Sequence, residues 1–203
     1  MAEQSRYHER DLYSRVSHYR HEVFIERLGW NLRTREGAEL DQFDRPDTVY
    51  VVAQNDEGQV SGCARLLPTT RPYLLGEVFP QLLNGVLPPC SPDIWELSRF
   101  AAVDINNQTT MMGPFSSPMA ITLLQAAIAY AAARGAKRLI AVSVIGVERL
   151  LRRAGFQAHR AGPPRIIDGN SLFACWIEVK NRSLSHGATS ETHQRESNHE
   201  LLS

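Results

Sequence analysis

Glu96-Leu97-Ser98-Arg99-Phe100 sets a carboxylate and a guanidinium into the otherwise apolar run 94–103. Burying an unpaired charge costs on the order of several kcal/mol. The two groups therefore either pair with each other as a structural ion pair or serve a site. Residues three apart in a regular strand point to opposite faces, so sharing one cleft requires the strand to bulge or end near Leu97-Ser98. A second set lies upstream. Arg20 and Phe24 are four apart, on one helical side, and Trp30 follows them. Asp41 and Asp44 sit three apart in Asp41-Gln42-Phe43-Asp44, and Arg65 comes later. An aromatic face beside two carboxylates suits a cationic ligand, through cation–π attraction and charge-assisted hydrogen bonds. Arg65 and Arg99 suit an anionic group such as a carboxylate. Taken singly, the same residues read as a core tryptophan and a solvated acidic loop.

Hydrophobic periodicity gives the elements that would position them. Leu12, Val16, Tyr19 and Val23 recur at helical spacing, Phe24 and Leu28 widen the stripe, and Gly29 stops it. Residues 31–47 are polar and acidic and read as a loop. Residues 48–53 form a strand, Asn55-Asp56-Glu57-Gly58 a hairpin turn, and 59–67 the partner strand. Pro68, Pro72 and Pro80 punctuate the stretch that follows. After the strand at 94–103, Ser117 caps and Pro118 opens a long apolar helix over 119–134, which Gly135 ends. A strand over 138–144, a short helix over 147–153 ending at Gly155, an extended piece from 156 to 159 and a last strand over 171–179 complete the order. Such an order argues for a mixed sheet covered by helices on both faces.

Composition narrows the function. With 203 residues, 43% of them hydrophobic, one domain over 1–180 is expected. The polar tail 181–203 has too little apolar surface to offset ordering entropy and is expected to be mobile. The 22 basic and 22 acidic residues balance, so charge gives no argument for nucleic-acid binding. No run reaches the about 18 apolar residues of a membrane span, and the polar start 1–6 shows no secretory signal. Cys63, Cys90 and Cys175 are isolated and odd in number, which fits a reducing cytoplasm. No metal site is expected: His18 and His21 lack further ligands, and His186, His193 and His199 are irregularly spaced in the tail. There is no G-x-G-x-x-G, no P-loop lysine and no G-x-S-x-G elbow. Residues 112–118 lack the glycine-rich loop that would cradle a coenzyme A pyrophosphate at a helix N-terminus. Between positions 134 and 165 lie Arg134, Lys137, Arg138, Arg149, Arg152, Arg153, Arg160 and Arg165 against the single acid Glu148. That asymmetry reads equally as solvated helix ends or as a docking face for an acidic partner.

Taken together, Tyr19-Arg20-His21-Glu22-Val23-Phe24 leading to Trp30, Asp41-Gln42-Phe43-Asp44, 62–70 with its Arg65, the Val78-Phe79-Pro80 turn and Glu96-Leu97-Ser98-Arg99-Phe100 closely resemble the LuxI-type acyl-homoserine-lactone synthases. The likeness runs from about residue 19 to 179. The family's signature positions fall on Arg20, Phe24, Trp30, Asp41, Asp44, Arg65, Phe79, Glu96 and Arg99, without departure.

The resemblance implies a fold like the GCN5-related N-acetyltransferases: an α/β three-layer sandwich, its twisted mixed sheet between helices and its central strands splayed. It implies that S-adenosylmethionine is a substrate rather than a cofactor, and that an acyl group arrives as a thioester on acyl carrier protein. The amine would attack the thioester; the methionine carboxylate would then attack its own γ-carbon, expelling methylthioadenosine and closing a lactone. S-Adenosylmethionine would be held by Arg20, Phe24, Trp30, Asp41, Asp44, Arg65 and Arg99. Glu96 would take the proton, directly or through water, with Arg99 and Ser98 beside it, and backbone N–H groups at a strand bulge would stabilise the oxyanion. The acyl tunnel would involve Phe79, Met111, Met112, Leu139, Ala141, Ser143 and Ile145. Arg134, Lys137, Arg138, Arg149, Arg152 and Arg153 would dock the carrier protein. Two other readings share these residues: a coenzyme A-dependent N-acyltransferase of the same fold, and a non-catalytic sensor of S-adenosylmethionine or acyl lipid.

Overall fold

The computed structural model describes residues 2–105 and 117–179. Helix α1, Ala2–Arg20, runs directly into a π-helical stretch, His21–Arg27, and the chain turns out at Gly29 with φ 66°. Tyr19, Arg20, Val23 and Phe24, two pairs at i,i+4 spacing across this junction, are all buried. The segment 31–47, read above as loop, contains a two-stranded hairpin: β1, Thr34–Arg35, and β2, Ala38–Glu39. Its turn residues Glu36 and Gly37 are both left-handed, at φ 53° and 75°, the geometry that tight hairpins favour. So small a strand pair leaves no periodic signal, yet it delivers Glu39 to the interior.

The main sheet begins with the hairpin β3, Val49–Gln54, and β4, Val60–Pro68. The proline-punctuated stretch folds as α2, Leu74–Val78, and a 3₁₀ turn, Pro80–Leu83. Then come β5, Ile94–Ala102; α3, Pro118–Ala132; β6, Arg138–Val144; α4, Val147–Arg153; β7, Ala158–Arg160; β8, Arg165–Ile167; and β9, Asn170–Glu178. Strand β8 is the one strand of this stretch that sequence periodicity did not indicate. The strand order is β3-β4-β5-β6-β9-β7, with β8 also on β9, and β5–β6 is the one parallel pair among the described residues.

The Ser117 hydroxyl caps α3 by accepting from the Ala120 N–H at 3.1 Å, with Pro118 in the first turn. The helix lays Ala120, Leu123, Leu124, Ala127 and Ala131 on one face of the sheet, against Ala64, Leu66, Leu97, Leu139 and Phe173. The other face is shared. Val16, Tyr19, Val23 and Phe24 cover Cys63 and Ala101, while Tyr73, Leu75, Leu82 and Leu83 cover Leu67, Ile140 and Ala174. The expected α/β sandwich, with helices on both faces, is the one observed.

Strands β5 and β6 pair only at Ile94↔Arg138, Trp95↔Leu139 and Glu96↔Ile140. Beyond that point they part, leaving 97–100 and 141–144 on opposite walls of a cavity. The splay that the resemblance implies is thus present, and it begins at Glu96.

Candidate active site

The bulge demanded by the Glu96–Arg99 offset exists, one residue beyond where it was expected. On β4 the step from Cys63 to Arg65 spans two residues; its partners on β5 run from Ala101 to Ser98, three residues. The extra residue on β5 comes with Arg99 in the left-handed region, at φ 49°. Instead of pointing to the face opposite Ser98, the Arg99 side chain therefore reaches the face covered by α1, with its guanidinium 5.9 Å from the centre of the Phe24 ring.

Glu96 and Arg99 do not form an ion pair with each other. Arg99 donates from Nη2 to Glu39 Oε1 and to Asp41 Oδ2, both at 2.9 Å. Arg20 donates from Nε to Glu39 Oε2 at 2.6 Å and from Nη1 to Asp44 Oδ1 at 2.8 Å. Arg65 donates from Nη1 to Asp41 Oδ1 at 2.6 Å and to Asp44 Oδ1 at 3.3 Å, and from Nε to the Ser98 hydroxyl at 3.0 Å. Tyr50 joins the ring, accepting from Arg20 and donating to Asp44. Three guanidiniums and three carboxylates thus alternate in a closed network. Each arginine is shared between two acids, which offsets desolvation that no single pair would offset. Burial opposes ionisation of Asp44, but Arg20 and the Tyr50 hydroxyl outweigh it and hold its carboxyl at about 2. Glu39, fully buried, and Tyr50 are the members that sequence reasoning missed. Glu39 lies in a polar stretch that reads as loop, and only the β1–β2 pairing would have singled it out.

A cavity of about 730 Å³ opens in front of this network, and its lining changes character along its length. One end is ionic and aromatic: Trp30, Glu39, Asp41, Ser98 and Arg99. Trp30 stacks on Phe24, with centroids 5.0 Å apart and planes at 18°, so one ring face lies on Phe24. The other end is largely apolar, with Leu97, Ala120, Leu124, Ala141 and residues of α4, although Ser143, Asp168 and Asn170 also belong to the lining. Of the residues proposed for one ligand, Trp30, Asp41 and Arg99 reach the cavity; Arg20, Phe24, Asp44 and Arg65 lie behind the wall and hold those three. Phe79, Ala141 and Ser143 line it. Leu139 is buried against α3 and Ile145 is exposed at the surface, so neither is a lining residue. Met111 and Met112 lie outside the described residues.

Glu96 is fully buried and stands behind the lining, between Leu74 and Ser98, which do line the cavity. Its oxygens accept from the backbone N–H groups of Leu74 at 3.0 Å and Leu75 at 2.6 Å, at the start of α2. Burial pushes its acid above the usual carboxylate range, against those two N–H groups, Arg65 and the Ser98 hydroxyl. A carboxyl so placed is poised to take up a proton, and it also fixes α2 against β5.

The basic residues separate by location. Arg134 lies 3.5 Å from the centre of the Tyr130 ring, and Arg138 lies 4.6 Å from that of Trp176. Lys137 pairs with Asp93 at 3.3 Å. Arg149, Arg152 and Arg153 are exposed on α4, Arg152 with Glu148 at 3.5 Å.

A splayed mixed sheet with an ionic pocket running into a largely apolar end is the geometry that joining a charged small molecule to an acyl chain would need. At the level of fold alone, FeeM, an N-acyl amino acid synthase from uncultured soil microbes, superposes with a TM-score of 0.56 at 15% identity, over 85% of this chain and 91% of that one. The autoinducer synthase family model matches residues 3–186. An acyl-homoserine-lactone synthase of Acinetobacter nosocomialis is 63% identical over 169 residues, covering 83% of this chain and 92% of the relative. The crystal structure of TofI, in a ternary complex with an inhibitor and MTA, is 47% identical with a TM-score of 0.73, over 83% and 85% of the two chains. BjaI, a CoA-dependent acyl-homoserine lactone synthase solved with SAM and isopentyl-CoA, is 28% identical with a TM-score of 0.76, over 87% and 80%. The chain belongs to the autoinducer synthase family, as an acyl-homoserine-lactone synthase.

Proposed function

We propose that the chain makes an N-acyl-homoserine lactone from S-adenosylmethionine and an acyl group carried as a thioester on acyl carrier protein. The observation that carries this is the two-part cavity, whose ionic and apolar ends meet at Ser98 and Arg99 on the open edge of β5. S-Adenosylmethionine presents a sulfonium, an ammonium and a carboxylate. Trp30, backed by Phe24, faces the sulfonium; Asp41 accepts from the ammonium; Arg99 donates to the carboxylate. Arg20, Asp44, Arg65 and Glu39 hold those groups in place. An ammonium is not a nucleophile, so a proton must leave. Glu96 receives it through an intervening hydroxyl or water at Ser98. The amine then attacks the thioester carbonyl, forming the amide and releasing the carrier thiol. Backbone N–H groups on the edge of β5 opened by the splay stabilise the oxyanion. The carboxylate attacks its own γ-carbon, the C–S bond breaks, and lactone and methylthioadenosine leave.

The acyl chain occupies the apolar end, against Ala141, Ser143, Leu124 and α4. Phe79 stands at the wall between the two ends. Two features favour the carrier protein as donor over coenzyme A. The sequence 112–118 lacks the glycine-rich motif of a pyrophosphate-binding loop, and exposed arginines crowd α4 beside the tunnel. The cytoplasm, where both substrates are made, is its proposed location. The MTA held by TofI and the SAM held by BjaI are consistent with this chemistry. The test is kcat/KM for one acyl group offered on both donors. The carrier thioester should win by about tenfold or more; a preference for the coenzyme A thioester would reassign the donor.

A further inference from the structure

Helix α4, Val147–Arg153, is the one helix among the described residues with no buried member. Its inner side, Val147, Leu150 and Leu151, faces the cavity, where an acyl chain would otherwise meet solvent. Its outer side carries the exposed Arg149, Arg152 and Arg153. Spacings of three and four residues explain the division: 147, 150 and 151 share one face, and 149, 152 and 153 project from the rest. Glycines in the left-handed region bracket the helix, Gly146 at φ 101° and Gly155 at φ 86°. The ties we find from its side chains to the sheet are Glu148–Arg160 at 2.8 Å and the packing of Leu151 on the core. A short segment between two such glycines, with the cavity beneath Val147 and Leu150 and Leu151 as its one residue packed on the core, can shift as a unit with little loss of packing.

We propose that α4 couples carrier-protein docking to acyl-chain selection. Resting on the assignment of an acyl-carrier-protein thioester as donor, this holds that an acidic carrier surface binding Arg149 and Arg153 braces the helix. The brace fixes Val147, Leu150 and Leu151 as the far wall of the tunnel. Chain length is then read against a wall that is complete only when the carrier is docked. Selectivity is thereby a property of the complex, beyond the shape of the free cavity.

The test compares the wild type with Arg149→Glu/Arg153→Glu, which leaves the Glu148 pairs intact. A series of carrier thioesters differing by two carbons serves as donors, and thermal melts confirm the fold. Reversing two docking charges should raise KM for every carrier thioester about tenfold. Because the unbraced wall reads length poorly, the ratio of kcat/KM between the preferred acyl group and its neighbours should also fall about threefold or more. A uniform rise in KM with the ratio unchanged overturns the coupling and leaves simple docking. Unchanged KM overturns it too, because the outer face then takes no carrier. If the wild type turns over no carrier thioester, the donor assignment has failed, and the coupling with it. Arg149→Gln/Arg153→Gln repeats the test should the reversed charges lower the melting temperature, and the same change in the ratio is required of it.

Discussion

Replacing Glu39 by glutamine removes one negative charge from a buried network of three arginines and three acids. Glu39 accepts from Arg20 Nε at 2.6 Å, Arg99 Nη2 at 2.9 Å and Arg99 Nε at 3.1 Å. Glutamine keeps one acceptor oxygen and turns an NH₂ toward a guanidinium, and two arginines lose part of their compensation. Removing one partner from a buried pair costs about 3–5 kcal/mol. At about 2–4 °C per kcal/mol for a domain of this size, Tm should fall by about 6–20 °C. Calorimetry and urea unfolding measure it. Glu36→Gln, at an exposed position of the same hairpin, is the control and should stay within about 0.5 kcal/mol of wild type. The double variant Glu39→Gln/Arg99→Gln restores the charge balance and should recover at least about 1 kcal/mol relative to additivity. A Glu39→Gln Tm within about 2 °C of wild type, or strict additivity, would refute the idea that the network acts as a shared ionic unit.

Acid should loosen the same network. Asp44, held near 2 in the folded chain and near 3.8 unfolded, stabilises the fold by about 2 kcal/mol at neutral pH. Its pKa is lowered by folding, so this contribution is lost as pH falls from about 4 to about 2, and Asp44→Asn should flatten stability over that window in urea titrations. Glu96→Gln should abolish acyl transfer while leaving Tm close to wild type, because the gain from removing a buried charge offsets one lost hydrogen bond to Leu74 or Leu75. An unfolded Glu96→Gln would make Glu96 chiefly a structural brace for α2. Trp30→Ala should raise KM for S-adenosylmethionine about tenfold, by loss of cation–π contact, and leave KM for the acyl donor near wild type in steady-state assays. Ala141→Leu, which fills the apolar end, should shift product analysis toward shorter acyl chains; unchanged product lengths would place the tunnel elsewhere.

Much of the framework could be read in the sequence because the signals were local. The stripe at Leu12, Val16, Tyr19 and Val23, the Asn55–Gly58 turn and the Ser117–Pro118 cap each need only neighbouring residues to be recognised. The Glu96–Arg99 offset requires the strand either to bulge or to end near Leu97-Ser98, and the register of β4 on β5 shows the bulge. What escaped notice depends on distant partners. Glu39 looks like any loop acid until β1 and β2 pair. Tyr50 looks like an ordinary strand tyrosine until Arg20 and Asp44 close around it. The division between Trp30, Asp41 and Arg99 at the cavity and Arg20, Asp44 and Arg65 behind it is set by the strand splay, which leaves no pattern in residue spacing. Leu139 and Ser143 alternate on one strand face, yet only Ser143 reaches the tunnel, since the strands still touch at Leu139 and have parted by Ser143.

The central claim is that one cavity joins an acyl group to S-adenosylmethionine and then closes the lactone. Purified protein, a series of acyl-carrier-protein thioesters and S-adenosylmethionine labelled with ¹³C in the methionine carbons allow a direct reading by mass spectrometry. The account predicts an N-acyl-homoserine lactone carrying the label in its ring, with methylthioadenosine released in equal amount. An unlabelled lactone, a labelled acyl-methionine product without methylthioadenosine, or no turnover at any acyl length would contradict it.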